Sequence, residues 1–324
     1  MMNETPHVFG TYENLVGVYT PAEATTVGDI GVIMLTPGML HHVGPFGLHV
    51  ELARGLAAQR IPSLRFCLSG IGESLAVGAA GESTQRAVDE VRQAIDFLQS
   101  TYGLQRFILF GLCSGADDSV NAALADERVI GAALLDGCGY RTVGFYLRKY
   151  GTQLPRKIAR RVLRWGSRIG ARGDDSAAVP TSPTLPAGDD VREFPTRRQA
   201  ERELQQLVDR GVEMLFLYTG GVGQYFNHRR QFSAMFPQLR SHGKVEVHYF
   251  EQLDHVVRLA EDRRFVVNQL VHWISRTGDR FASQLKTNLA LKSGGKPSIM
   301  ALSSEPDISH DGGLLVSLEP SREM

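Results

Sequence analysis

The chain has 324 residues, 43% hydrophobic and 22% charged, which is ordinary globular composition with enough length for one large α/β domain or two small ones. Lys plus Arg and Asp plus Glu are equal at 35 each, so no whole-chain field favours nucleic acid, and three cysteines without CxxC spacing argue against a disulfide framework or a zinc site. The N-terminus lacks a basic stretch followed by an apolar one, and no apolar run approaches the roughly 18–20 residues of a membrane span, which leaves a soluble, cytoplasmic protein as the expectation.

Short β-type runs alternate with helical patterns through the first half, as a mostly parallel sheet flanked by helices requires. Residues 15–19 and 31–35 read as strands, the second ending at the turn Thr36-Pro37-Gly38. Residues 46–59 place Leu48, Leu52 and Leu56 at helical spacing, and residues 63–68 resume as a strand. A helix over 86–101, with Val88, Val91, Ile95 and Leu98 in step, leads to a buried strand over 107–110, a helix to about residue 125 and a strand over 129–135. Residues 137–211 break the rhythm and read as a helical cap insertion, placed at about 138–211. Between Arg141 and Arg172 there are ten Lys or Arg residues and no Asp or Glu, and Ile158, Val162, Trp165 and Ile169 share one helical face. Residues 173–195 read as a mobile loop and 196–208 as a helix. Strands follow at 213–219 and 244–250, with a final helix at about 262–275. The domain is therefore bounded at 1–275, and residues 276–324 read as a disordered tail.

A nucleophile elbow is a tight strand-to-helix turn that needs small residues two before and two after its apex. Gly111-Leu112-Cys113-Ser114-Gly115 satisfies this only with Cys113 at the apex; the bland alternative is a buried cysteine in a glycine-rich turn. The Ser114 amide would be one oxyanion donor and the Met39 amide, in the loop after the 31–35 strand, the other. His41 and His42 lie in that loop and read as surface residues, with approach to a substrate as the alternative. The base should follow the last strand, where His255 stands, because a thiol of pKa ~8.5 needs an acceptor of matched pKa. The slot after the 213–219 strand, residues 219–224, offers no carboxylate. Asp136, at the end of the strand beside the elbow strand, is the best substitute and is equally a turn-forming Asp-Gly residue; Glu251 is a poorer acid, and Asp254 reads as a cap. A Cys–His pair can also work without an acid. Cys67 and Cys138 read as core or loop residues, and no cofactor or metal is expected.

Residues 35–45, 52–57, 64–74 and 111–116 resemble the exosortase A system-associated hydrolases, α/β-hydrolases related to the serine aminopeptidase-like group. The resemblance spans about residues 30–275 and puts Cys113 in the nucleophile slot and His255 in the base slot. Cys67 and Glu73 stand where that pattern carries aspartates, and Val222 stands near the usual acid slot. It implies an α/β-hydrolase fold and a hydrolase or acyl-transfer role near bacterial exopolysaccharide production. The reaction expected is ester or thioester hydrolysis through an acyl-Cys113 intermediate, on a small-molecule or carrier-bound acyl substrate. The alternatives are an acyltransferase or thioesterase acting on a carrier protein and a non-catalytic hydrolase-fold binding protein. The basic cap helix would meet an acidic carrier protein or a membrane surface, or simply face water.

Overall fold

The computed structural model describes residues 4–22, 29–77, 83–151, 194–240 and 242–292, with side chains to residue 287. The strands are β1 (Thr5–Phe9), β2 (Leu15–Thr20), β3 (Ile30–Leu35), β4 (Ser63–Phe66), β5 (Arg106–Leu112), β6 (Val129–Leu135), β7 (Glu213–Thr219) and β8 (Val245–Phe250). They form one sheet in the order β1-β2-β4-β3-β5-β6-β7-β8. The pairings β1·β2 and β2·β4 are antiparallel and every other pairing is parallel. Parallel strands joined by crossover helices are covered on both faces, which is why β3 and β5 read as continuous apolar runs. Their side chains still alternate. Ile33, Leu35, Phe107 and Leu109 enter one apolar layer, whereas Ile30, Val32, Met34, Ile108 and Phe110 enter the other. The first layer lies under α2 (Ser83–Tyr102), α3 (Ser114–Ala125), α5 (Arg197–Arg210) and α6 (Gln231–Met235). The second lies under α1 (Leu48–Ala58) and α7 (Ala260–Lys292). A short α4 (Val143–Tyr150) follows β6.

Two elements differ from the sequence reading. β1 was not expected: its five residues begin Thr-Pro-His and are mostly exposed, so an edge strand here carries no alternating apolar signal. The last helix continues through Lys292 instead of stopping near residue 275. It does so because Thr277 is buried and donates to Glu213 at 3.0 Å, Arg280 pairs with Glu213 at 2.7 Å, and Phe281 packs on the second apolar layer. These are tertiary supports that a periodicity reading cannot see. The chain divides into a unit through Ser283 and a second from Gln284, whose described part is the end of α7. The basic helix read at 155–172, the loop at 173–193 and the tail from 293 lie outside the described residues. No helix among the described residues is long and apolar enough to cross a membrane.

Candidate active site

The C-terminal ends of β3, β5, β6, β7 and β8 deliver five loops to one edge of the sheet, and β5 is the central contributor. Only Cys113 separates β5 from α3, and its backbone is at φ 57°, ψ −120°, a conformation that costs a non-glycine residue about 1–3 kcal/mol. The surroundings hold it there. Its N–H donates to the Leu135 carbonyl at 2.9 Å, and its carbonyl accepts from the Ala116 N–H at 3.0 Å. Both elbow glycines are sterically required. A Cβ on Gly111 would lie 2.0 Å from the Gly115 carbonyl oxygen, and one on Gly115 would lie 2.6 Å from the Leu35 carbonyl oxygen.

That second approach presses the loop after β3 against the start of α3. The Gly38 N–H donates to Ser114 Oγ at 2.7 Å, so the Ser114 hydroxyl acts as a strut between loop and elbow, a role its sequence position did not reveal. The Leu40 N–H closes a turn onto the Pro37 carbonyl at 3.1 Å, with Met39 inside the turn and its side chain in solvent.

His255 follows β8 by a short loop, and its ring is half-buried. The loop is seated on the end of β7 by two glycines. A Cβ on Gly220 would lie 1.9 Å from the Glu251 carbonyl oxygen, and one on Gly221 would lie 2.3 Å from the His255 nitrogen. The Gly221 N–H also donates to the Leu253 carbonyl at 3.2 Å. This close packing leaves no room for a carboxylate-bearing side chain at the first two positions after β7, and Val222 is buried in the core.

A carboxylate reaches His255 from the end of β6 instead. Asp136 is fully buried, and its Oδ2 lies 2.8 Å from His255 Nδ1. Its carboxylate also accepts from the Thr219 N–H (Oδ1, 2.7 Å) and from Thr219 Oγ1 (Oδ2, 2.7 Å). A carboxylate on Nδ1 assigns the proton to that nitrogen and leaves Nε2 as the acceptor of the ring. His255 makes a side-chain hydrogen bond with Cys113. The hydrogen bond to Asp136, and then the one to Cys113, outweigh partial burial and raise His255 to about 9. The imidazolium is therefore favoured beside the sulfur, as a thiolate–imidazolium pair requires.

No family model matches the chain, and no curated protein matches its sequence. Solved structures do match. An esterase of Pyrococcus furiosus superposes with a TM-score of 0.56 at 12% identity, over 85% of this chain and 91% of that one. A protein of unknown function from Agrobacterium tumefaciens, considered an α/β hydrolase, gives 0.51 at 12% identity over 85% and 95%. The fold is that of the α/β hydrolases. At such identities the likeness extends to architecture and not to substrate.

Within this α/β-hydrolase fold, Cys113, His255 and Asp136 come together in hydrogen-bonded sequence; Ser114 opens α3 in the elbow itself, and the loop bearing Met39 is tied to it through Gly38. Glu251 is exposed, and its backbone carbonyl lies against Gly220. Asp254 accepts from the Val256 and Arg258 amides at 3.0 and 3.3 Å, fixing the turn before α7. Thr219 was missed by sequence reasoning; a hydroxyl residue closing a strand directly before Gly-Gly was the available signal. The surface reading of the loop histidines fails for His42, which is 6% exposed. Its N–H donates to Cys67 Sγ at 3.2 Å, and that sulfur lies 3.4 Å from its Nδ1. Burial lowers His42 to about 4 and raises the Cys67 thiol to about 11, so both are neutral.

Proposed function

We propose that the protein is a hydrolase that cleaves acyl esters or thioesters through a covalent acyl-Cys113 intermediate. The hydrogen-bonded sequence Asp136–His255–Cys113 at a strained strand-to-helix apex carries this reading. His255 Nε2 holds the proton taken from the Cys113 thiol, and the thiolate of this pair attacks the substrate carbonyl carbon. The developing oxyanion is met by the Ser114 and Met39 amides. Collapse breaks the bond to the leaving alkoxide or thiolate, which takes the proton from the His255 imidazolium. A water, deprotonated by the same imidazole, then attacks the acyl carbonyl carbon; the carbon–sulfur bond breaks, the Cys113 sulfur takes the proton back from His255, and the carboxylic acid leaves. Asp136 keeps the Nδ1 proton in place and stabilises the imidazolium; it does not need to take the proton.

The missing carboxylate near Val222 motivates a purely binding role; the 2.8 Å contact from Asp136 to His255 supports the catalytic reading over it. The resemblance to the exosortase A system-associated hydrolases would put the reaction beside exopolysaccharide production, with a carrier-bound acyl group as the thioester substrate. The test is incubation with p-nitrophenyl esters of graded chain length and with acyl thioesters, followed by mass spectrometry of the intact protein. The expected result is a burst of product and an acyl adduct on Cys113, both lost in Cys113→Ala and slowed in His255→Ala. Turnover that persists undiminished in Cys113→Ala, or the lack of any adduct across both substrate classes, sinks the proposal.

A further inference from the structure

A second group of reactive side chains takes no part in this chemistry. β3 and β4 are parallel neighbours, so their C-terminal ends deliver two loops side by side: one carries His41 and His42, the other Cys67 and Glu73. His41 Nε2 lies 2.8 Å from Glu73 Oε2, Cys67 Sγ lies 3.4 Å from His42 Nδ1, and His42 Nδ1 lies 3.9 Å from Glu73 Oε2. One ligating atom from each of the four falls within 4.8 Å of all the others. Tetrahedral zinc, with metal–sulfur bonds near 2.3 Å and metal–nitrogen bonds near 2.0–2.1 Å, holds its ligand atoms about 3.3–3.8 Å apart, so modest side-chain adjustment suffices. Gly72, at φ 54°, keeps the position clear, since a Cβ there would lie 2.8 Å from both Cys67 Sγ and His41 Cδ2.

We propose that His41, His42, Cys67 and Glu73 bind one zinc-class divalent ion and that the ion braces the loop carrying the Met39 amide. Two imidazoles, one thiolate and one carboxylate form a borderline-soft donor set suited to zinc, in contrast to the all-oxygen sets that hold magnesium or calcium. Binding releases the Cys67 thiol proton. The His41 proton now shared with Glu73 moves from Nε2 to Nδ1, which gives up the 3.3 Å hydrogen bond from the Val43 N–H. His41 stands two residues beyond Met39, in a loop already tied to the elbow by the Gly38–Ser114 hydrogen bond, so the ion would fix the oxyanion loop from its far end.

The test uses the full-length reduced protein and does not depend on any enzymatic activity. Cobalt is titrated in as a spectroscopic stand-in, and zinc affinity is then measured by competition with a chromophoric chelator. One equivalent of cobalt should give tetrahedral ligand-field bands and a thiolate-to-cobalt charge-transfer band. That band should persist in Cys113→Ser and Cys138→Ser and disappear in Cys67→Ser. Glu73→Ala and His41→Ala alter exposed or half-exposed side chains in folded protein, and each should weaken zinc binding about tenfold or more. A missing thiolate band in the wild type, a band that depends on Cys113 instead of Cys67, or zinc affinity indifferent to both His41 and Glu73 overturns the proposal.

Discussion

Replacing Asp136 by Asn changes one buried atom and sets two requirements against each other. With the amide nitrogen in the place of Oδ2, the oxygen still accepts from the Thr219 N–H, but the NH₂ group faces His255 Nδ1 at 2.8 Å. The imidazole must then carry its proton on Nε2, the nitrogen that has to accept the thiol proton, and the base is in the wrong tautomer. Turning the amide over restores an acceptor for Nδ1–H but sets NH₂ against the Thr219 N–H at a 2.7 Å separation, leaving a buried donor unpaired at about 1–3 kcal/mol. Either way the carboxylate charge that strengthens this hydrogen bond is gone, and the value should fall from about 9 toward its ordinary 6.5. Acyl transfer should drop by about 10³–10⁴-fold, the scale seen when an orienting carboxylate becomes an amide. The assay is the pH dependence of Cys113 alkylation by iodoacetamide, with the adduct located by mass spectrometry and stability followed in urea. The thiolate midpoint should rise toward the free-thiol value of ~8.5. An unchanged midpoint in a variant of unchanged stability would refute the assignment of Asp136.

Gly111→Ala and Gly220→Ala should each cost about 3 kcal/mol or more in urea unfolding, because the new methyl would overlap backbone oxygens at 2.0 and 1.9 Å that cannot move aside as a flexible side chain would. Thr219→Val keeps the shape but removes the hydroxyl donor to Asp136; a stability loss of about 1–2 kcal/mol is expected, with a smaller shift of the alkylation midpoint than in Asp136→Asn. His255, raised to about 9 in the folded protein against an ordinary 6.5, contributes stability that is complete below about pH 6.5 and lost as pH rises through 9. His42 and His49, lowered by burial to about 4 and about 3, act in the other direction: below about pH 6.5 the unfolded chain takes up protons that the folded one refuses. Thermal unfolding should therefore show greatest stability near about pH 6.5, and Asp136→Asn should flatten the alkaline side of that profile. Truncation after Ser275 should cost about 2–4 kcal/mol relative to truncation after Ser283, since it removes Thr277 and Phe281 together with the arginines that pair with Glu213 and Glu246.

What the sequence disclosed was what local sterics and periodicity encode. The elbow was legible because two glycines flanking one residue at the end of an apolar run satisfy a constraint of the turn itself, and the overlaps at Gly111 and Gly115 are that constraint in atomic form. His255 was legible from its place in the strand order. β1 was not, because an exposed edge strand buries too little to leave a pattern, and the last two turns of α7 before Ser283 were not, because their support comes from Glu213, some sixty residues earlier. His42 escaped for the same reason: it packs against Cys67 from the loop after β4, and nothing within its own loop announces that partner.

Asp136, the acid of the proposed reaction, was the least legible residue, and the packing at β7 bears on why the carboxylate comes from another loop. If the slot after β7 were merely vacant, moving the carboxylate there should rescue Asp136→Asn. At Gly221, a side chain would begin 2.3 Å from the His255 nitrogen and push away the loop it was meant to orient. At Val222, 1% exposed among the residues of the first apolar layer, an aspartate would be buried without a charged partner and would cost several kcal/mol or remain protonated. Neither Asp136→Asn/Gly221→Asp nor Asp136→Asn/Val222→Asp should therefore recover the wild-type alkylation midpoint. Recovery in either double variant would mean that the glycine packing does not constrain the His255 loop and that the position of the acid on β6 has another cause. Failure in both, with Asp136→Asn alone still folded, would mean that the close seating of the His255 loop on Gly220 and Gly221 and the acid on β6 belong to one solution: the glycines bring the imidazole too near β7 for a carboxylate from that strand, and Asp136 reaches it from the strand next door.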